Sequence, residues 1–197
     1  MGKNTIIGVD LGYMEGMFHI VRSGCLLQMR RDKGFLDLKN RCQCKKRYCS
    51  CAGGLHSYAT HYSEIIDRYR PSIVVEWGPG LNTELALATP IKQVVSVEHQ
   101  EKYIYRGTDQ RCSQRLVQVD SFEYISPREI SEADLFFVDG RRRAECLIQI
   151  FKKAKPGAIV CVHDAQRARY IPALQLFDNV KFPRFGFAVG MQRGAPS

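Results

Sequence analysis

The sequence predicts an α/β fold: a doubly wound, mostly parallel sheet with a C-terminal antiparallel hairpin, preceded by a small β-rich, Cys-rich elaboration. Three observations carry this reading. From residue 72 onward, short and continuously apolar runs alternate with stretches of helical spacing, the pattern of parallel strands covered by helices on both faces. Four of the first five runs end in an acid just before the chain turns. The last two runs, within "NVKFPRFGFAVGMQ" (179–192), have no helix-sized gap between them and pair as a hairpin.

The elements follow in order. Residues 1–40 read as short strands punctuated by Gly12, Gly16, Gly24 and Gly34. A helix is predicted over 56–70, with Tyr58, Tyr62, Ile65, Ile66 and Tyr69 at helical spacing and Pro71 as its stop. Strands are expected at "SIVVEW" (72–77), "QVVSVE" (93–98), "RLVQVD" (115–120), "DLFFVD" (134–139) and "AIVCVH" (158–163), with helices over 82–88, 99–111, 141–154 and 166–177. The division expected is a basic extension over 1–55 and one Rossmann-like domain over 56–197. At 197 residues the chain is long enough for one substantial core.

No run approaches the roughly 18 apolar residues of a membrane span, and "MGKNTIIGVDLGY" lacks the features of a secretory signal, so a cytoplasmic protein is expected. Of eight cysteines, Cys25, Cys112, Cys146 and Cys161 stand singly, which suits a reducing compartment. The net charge of +9 is uneven. Residues 1–70 carry 12 Lys and Arg against 6 Asp and Glu, and residues 30–51 alone carry eight against two. That density attracts a polyanion, or simply solvates a face.

In "IVVEWGPGLNT" (73–83) a buried strand stops at a carboxylate and continues as nearly bare backbone. Ligands of an open parallel sheet bind beyond the carboxyl ends of its strands, where glycines admit close approach and a helix N-terminus offers free N–H groups. Glu76, Glu98, Asp120 and Asp139 all fall at such ends. Each could cap the next helix, but four carboxylates along one sheet edge suggest a common ligand.

This order, E-x-G-x-G followed by acids ending the second, third and fourth strands, resembles the class I S-adenosylmethionine-dependent methyltransferases. The resemblance covers 56–192. More narrowly, "VVEWGPGLNTELAL", "VSVEHQEKY", "FFVDGRRRAECLIQ" and "PGAIVCVHDAQRARY" look like a branch with an E-W-G-x-G-x-S/T loop and a D-G-R-x-R segment. It implies Glu76 near the methionine amino group, Gly78, Gly80 and Thr83 in the cofactor loop, Glu98 on the ribose, and Asp120 with Ser121 at the adenine. Asp139 closes the set. Leu81 departs from the pattern, standing where the loop often has a smaller residue. The residue types suit the ligand, since a carboxylate can hold a ribose diol and an exocyclic amine needs an acceptor.

Two rivals stay open at this stage. Glu98 lies 18 residues after Gly80, as a ribose acid of an NAD(P)-dependent oxidoreductase would, although Thr83 replaces the third glycine of that fingerprint. A non-catalytic nucleic-acid-binding module on the same fold is the other.

Three features bear on acceptor and metals. "RRR" (141–143) should open a helix, where cations oppose the dipole, so Arg141, Arg142 and Arg143 either bind an anionic acceptor or pair with Glu145 and Asp164. Cys42, Cys44, Cys49 and Cys51 form C-x-C-x4-C-x-C, which supplies four thiolates to one zinc, forms two disulfides, or stays reduced. His163 and Asp164 stand where metal-dependent members of the superfamily carry a polar pair. There the resemblance implies a divalent cation held by Asp139 and Asp164, with His163 as third ligand or general base for oxygen methylation.

Overall fold

The computed structural model describes residues 58–184 and 186–193. The extension expected over 1–55, with its cysteines at 42–51, lies outside the described residues. The first helix, α1 (Ala59–Tyr69), buries Tyr62 and Ile66 on one stripe. It ends where Arg70 turns left-handed at φ 46° and donates its N–H to Ile66 O, one residue before Pro71.

Seven strands follow: β1 (Ile73–Trp77), β2 (Gln93–Glu98), β3 (Cys112–Leu116), β4 (Leu135–Val138), β5 (Ile159–His163), β6 (Asp178–Arg184) and β7 (Phe187–Met191). Their order in the sheet is β3-β2-β1-β4-β5-β7-β6. The first five are parallel, and β7 runs antiparallel between β5 and β6, so the predicted hairpin closes the sheet.

Alternation along the strands builds two cores. Val75, Trp77, Val95, Val97, Phe136, Val138, Val160 and Val162 face one side, against α4 (Arg143–Lys153) and the single-turn helices α3 (Phe122–Ile125) and α5 (Ile171–Leu174). Val74, Val94, Leu135, Phe137 and Cys161 face the other, against α1 and α2 (Leu81–Leu87). Asp134 ties the sheet at its amino edge, accepting the Ser72 and Ile73 N–H groups at 2.8 and 2.9 Å and pairing with Lys155 at 2.5 Å. Arg111 closes the C-terminal end of α2 by donating to the carbonyls of Leu87, Thr89 and Ile91. No helix among the described residues is long and apolar enough to cross a membrane.

Four expectations shift. The third strand pairs over 112–116 instead of 115–120, because Val117 and Val119 leave the ladder at the level of Glu98 and pack into the core as loop residues. The helix expected over 99–111 is one 3-10 turn, Glu101–Tyr103. Its apolar residues Tyr103, Ile104 and Tyr105 are consecutive, which cannot make one buried stripe. The stretch 166–177 divides between Tyr170 and Ile171 into a 3-10 turn and α5, with Pro172 in the first turn of α5. Helix α4 starts only at Arg143, with Arg142 outside it in left-handed conformation at φ 48°.

Register is what positions the site. Trp77 pairs with Val97 and Val138, and Val138 with Val162. Gly78, Glu98, Asp139 and His163, each the next residue along, therefore lie level at one edge of the sheet.

Candidate functional site

Glu76 lies on the α1–α2 face of β1 and is 0% exposed. Its carboxylate accepts from Asn82 Nδ2 at 2.6 Å, from Thr83 Oγ1 at 2.5 Å and from Ser96 Oγ. Burial pushes its pKa up to about 7, against the downward pull of those three hydrogen bonds. Thr83 also accepts the Gly80 N–H at 3.0 Å, and Asn82 donates to Gly78 O at 3.2 Å. Glu76 thus fixes the glycine turn and the first turn of α2 from beneath.

The two glycines differ in what they do. Gly78 has φ 84°, and a Cβ there would come within 3.2 Å of the Asp139 carbonyl carbon. Its bareness serves the contact between β1 and β4. At Gly80 a Cβ would meet nothing nearer than Asn82 Oδ1 at 3.7 Å, so no contact within the described chain requires glycine there. Gly140 again serves packing, since its Cβ would strike Tyr124 Oη at 2.5 Å.

At the end of β2, Glu98 is 6% exposed. One carboxylate oxygen accepts the N–H groups of His99 and Gln100 at 2.6 and 2.9 Å. The second oxygen makes no hydrogen bond among the described residues. Asp120 stands exposed in the loop after β3. Ser121 caps α3, accepting from Tyr124 N at 3.2 Å and donating to Gln118 O at 2.7 Å.

Asp139 and His163 meet between β4 and β5, with Nδ1 of the ring 3.0 Å from Oδ1 of the carboxylate. Tyr58 lies edge-on to the His163 ring at 5.0 Å, and the ring is partly exposed. Arg143, 9% exposed, reaches back from the start of α4 into the same place. It donates to the carbonyls of Gly140 and Asp139, both at 2.9 Å, and of His163. It also pairs with Asp139 at 2.7 Å and with Asp164 at 3.4 Å, while Arg167 holds Asp164 from outside at 2.6 Å. A cavity of about 320 Å³ lies at the opposite end of the sheet, between α1 and the hairpin, lined by Ile159, Arg68, Lys181 and Met191 among others. It takes no part in this cluster.

No protein-family model and no curated protein matches this chain. Among solved structures, the O-methyltransferase TomG from Streptomyces achromogenes, involved in tomaymycin synthesis and in complex with S-adenosylmethionine, is 14% identical. It covers 93% of this chain and 98% of its own, with a TM-score of 0.57. An O-methyltransferase from Bacillus cereus, in complex with S-adenosylhomocysteine, is 12% identical over 96% and 94% of the two chains, with a TM-score of 0.55. A methyltransferase-like protein from Silicibacter pomeroyi is 16% identical over 68% and 86%, with a TM-score of 0.53. This chain has the class I methyltransferase fold.

On that fold, the structure places the sequence-predicted site residues at different depths. Glu76 and Thr83, both 0% exposed, are bonded to each other beneath the glycine turn. Arg143 is enclosed by strand-end carbonyls and carboxylates, and Arg142 is taken up by Glu145 and the carbonyls of Val119 and Ser121. Neither is placed to meet an anionic acceptor. Arg141 is exposed, and its guanidinium has no partner among the described residues. No group of three His, Cys, Asp or Glu side chains among the described residues is arranged to hold a metal. At Asp139 and Asp164 the Arg143 guanidinium lies between the two carboxylates.

Sequence reasoning missed Ser96, Asn82 and Tyr58. Ser96 had a signal: it is the lone hydroxyl inside the apolar run "VVSVE", and a buried hydroxyl needs a partner.

Proposed function

We propose that this chain is an S-adenosylmethionine-dependent methyltransferase acting on an acceptor oxygen. The carrying observation is Glu98, whose carboxylate stands at the end of β2 with one oxygen fixed by two backbone amides and the other unshared. That is the arrangement a ribose hydroxyl requires. Gly80, two residues past Gly78 on the neighbouring loop and with no packing contact that requires glycine, supports the same reading. Asp120 and Ser121 flank the place expected for adenine.

The cofactor brings an electrophilic methyl group on a sulfonium. The chain's own contribution is positioning and a base. With Asp139 accepting from Nδ1–H, the Nε2 lone pair of His163 is free to take the acceptor's hydroxyl proton as the oxygen gains its methyl group. Asp164, held by two guanidinium groups, supports the turn and not the proton transfer. Arg141 is the remaining candidate to hold an anionic group on the acceptor.

Calorimetric titration with S-adenosylhomocysteine tests the reading. Wild-type protein binds it, Gly80→Val and Glu98→Ala each weaken binding at least tenfold, and both variants remain folded with the wild-type circular dichroism spectrum. Binding of NAD(P)H with no response to the adenosyl ligand would establish the oxidoreductase instead.

The zinc reading of Cys42, Cys44, Cys49 and Cys51 stands as a separate proposal. Full-length protein purified without added metal contains about one zinc per chain, and Cys44→Ser loses it. Disulfides in freshly lysed material, or no zinc in the wild type, refute it.

A further inference from the structure

We infer that the groove between α1 and the β6–β7 hairpin is a second ligand site, one that takes a small organic anion with an aromatic body. The groove holds about 320 Å³, a volume within the range of small-molecule sites. Its floor is apolar, with Ile159 of β5 buried and Ile65, Val189 and Met191 partly buried. Each wall brings a cation, Arg68 from α1 and Lys181 from β6. The fold leaves this face of the hairpin open. Alternation along β6 sends Val180 and Phe182 into the core on the α4 side, so that Lys181 and Pro183 turn toward α1. Helix α1 packs Tyr62 and Ile66 against the sheet and leaves Ile65, Arg68 and Tyr69 along the groove. The strand opposite is irregular. Its pairing with β7 slips between Asp178 and Lys181 and again between Lys181 and Arg184, and Asn179 is left-handed at φ 53°. Irregularities of this kind re-aim side chains, and here Asn179 and Lys181 both fall in the lining.

The lining sets the chemistry of the ligand. Apolar side chains left partly open to water gain when an apolar body covers them. Tyr69, an exposed aromatic at the end of α1, offers a ring beside that floor. The Arg68 guanidinium lies 5.5 Å from the centroid of the Tyr69 ring and makes no ion pair among the described residues. A carboxylate, sulfonate or phosphate on the ligand supplies that partner. Glu64, the carboxylate in the lining, lies 3.5 Å from His61 Nδ1. Arg68 and Lys181 against Glu64 leave the groove with a positive excess. The groove is remote from Glu98 and His163, so the inference does not depend on the methyltransferase reading.

The probe is 8-anilinonaphthalene-1-sulfonate, an aromatic body with one anionic group. Full-length protein carrying carbon-13 in its Ile and Met methyl groups is titrated and followed by nuclear magnetic resonance. The probe shifts the methyl resonances of Ile65, Ile159 and Met191 and leaves those of Ile125 and Ile130, in the core on the other face, in place. Its fluorescence reports one site per chain, weakened at least tenfold when Arg68→Glu and Lys181→Glu are combined. N-phenyl-1-naphthylamine, which keeps the rings and lacks the sulfonate, binds wild type and double variant alike. Should the charge reversals unfold the chain, Arg68→Gln with Lys181→Gln carries the same comparison. Methyl shifts confined to residues outside the groove overturn the inference. So does equal affinity for the sulfonate in the wild type and a folded double variant.

Discussion

Replacing Glu76 with alanine lowers the thermal midpoint by about 5–15 °C and weakens S-adenosylhomocysteine binding with it. Three donors, Asn82 Nδ2, Thr83 Oγ1 and Ser96 Oγ, converge on one buried carboxylate. Leaving such donors unpaired beside a new cavity costs about 2–4 kcal/mol, which in a chain of this size moves the midpoint by several degrees. The glycine turn moves too, because Thr83 and Asn82 transmit the carboxylate's position to Gly80 and Gly78. Glu76→Gln separates shape from charge. Burial raises the Glu76 pKa from 4.5 to about 7, so between those values the folded chain holds a proton that the unfolded chain has lost. The contribution is full below pH 4.5 and falls as pH rises through 7, by up to about 3 kcal/mol. Denaturant melts at pH 5 and pH 8 should show this decline in the wild type and a smaller one in Glu76→Gln. Equal pH dependence in the two proteins would mean that Glu76 is not the titrating group.

How much of this was legible in the sequence depends on which physical signal each feature leaves. Strands buried on both faces must be apolar throughout, and "QVVSVE" is found as β2 over the whole predicted range. The edge strand was misplaced because hydrophobicity reports burial, not pairing. Val117 and Val119 are partly buried in the core without belonging to the ladder. The acids at strand ends were found, but their roles divide by depth. Glu98 keeps an unshared oxygen at the edge, whereas Glu76, one pleat further in, is closed over by α1 and α2.

The arginine run shows a second limit. Read along a helix, three cations at an N-terminus oppose the dipole. The chain avoids this by starting α4 at the third of them and turning that one back onto the carbonyls of the neighbouring strands. Spacing along one helix cannot reveal a partner 20 residues away on β5, such as the His163 carbonyl.

His163→Ala should lower methyl transfer by about 100- to 10,000-fold, the usual contribution of a positioned general base. Affinity for S-adenosylhomocysteine should stay within twofold of the wild type, because the ring lies between β4 and β5, apart from the Glu98 and Gly80 side of the edge. A purely structural histidine would not give that split. Its loss would act through stability, and it would not respond to added imidazole, which in the catalytic case restores part of the rate by supplying the missing base. Asp139→Asn should fall in between: the amide no longer fixes the tautomer that leaves Nε2 open, yet the ring keeps its place under Tyr58. This variant should also lose stability, since Arg143 then lacks the nearer of its two carboxylates. Transfer of labelled methyl from S-adenosylmethionine to a panel of phenols, with and without a carboxylate or phosphate group, measures all three proteins. The same panel tests Arg141, because Arg141→Ala should discriminate against the anionic members alone. Undiminished turnover in both His163→Ala and Asp139→Ala would remove the dyad from the mechanism and leave orientation of the acceptor as the chain's main contribution to the rate.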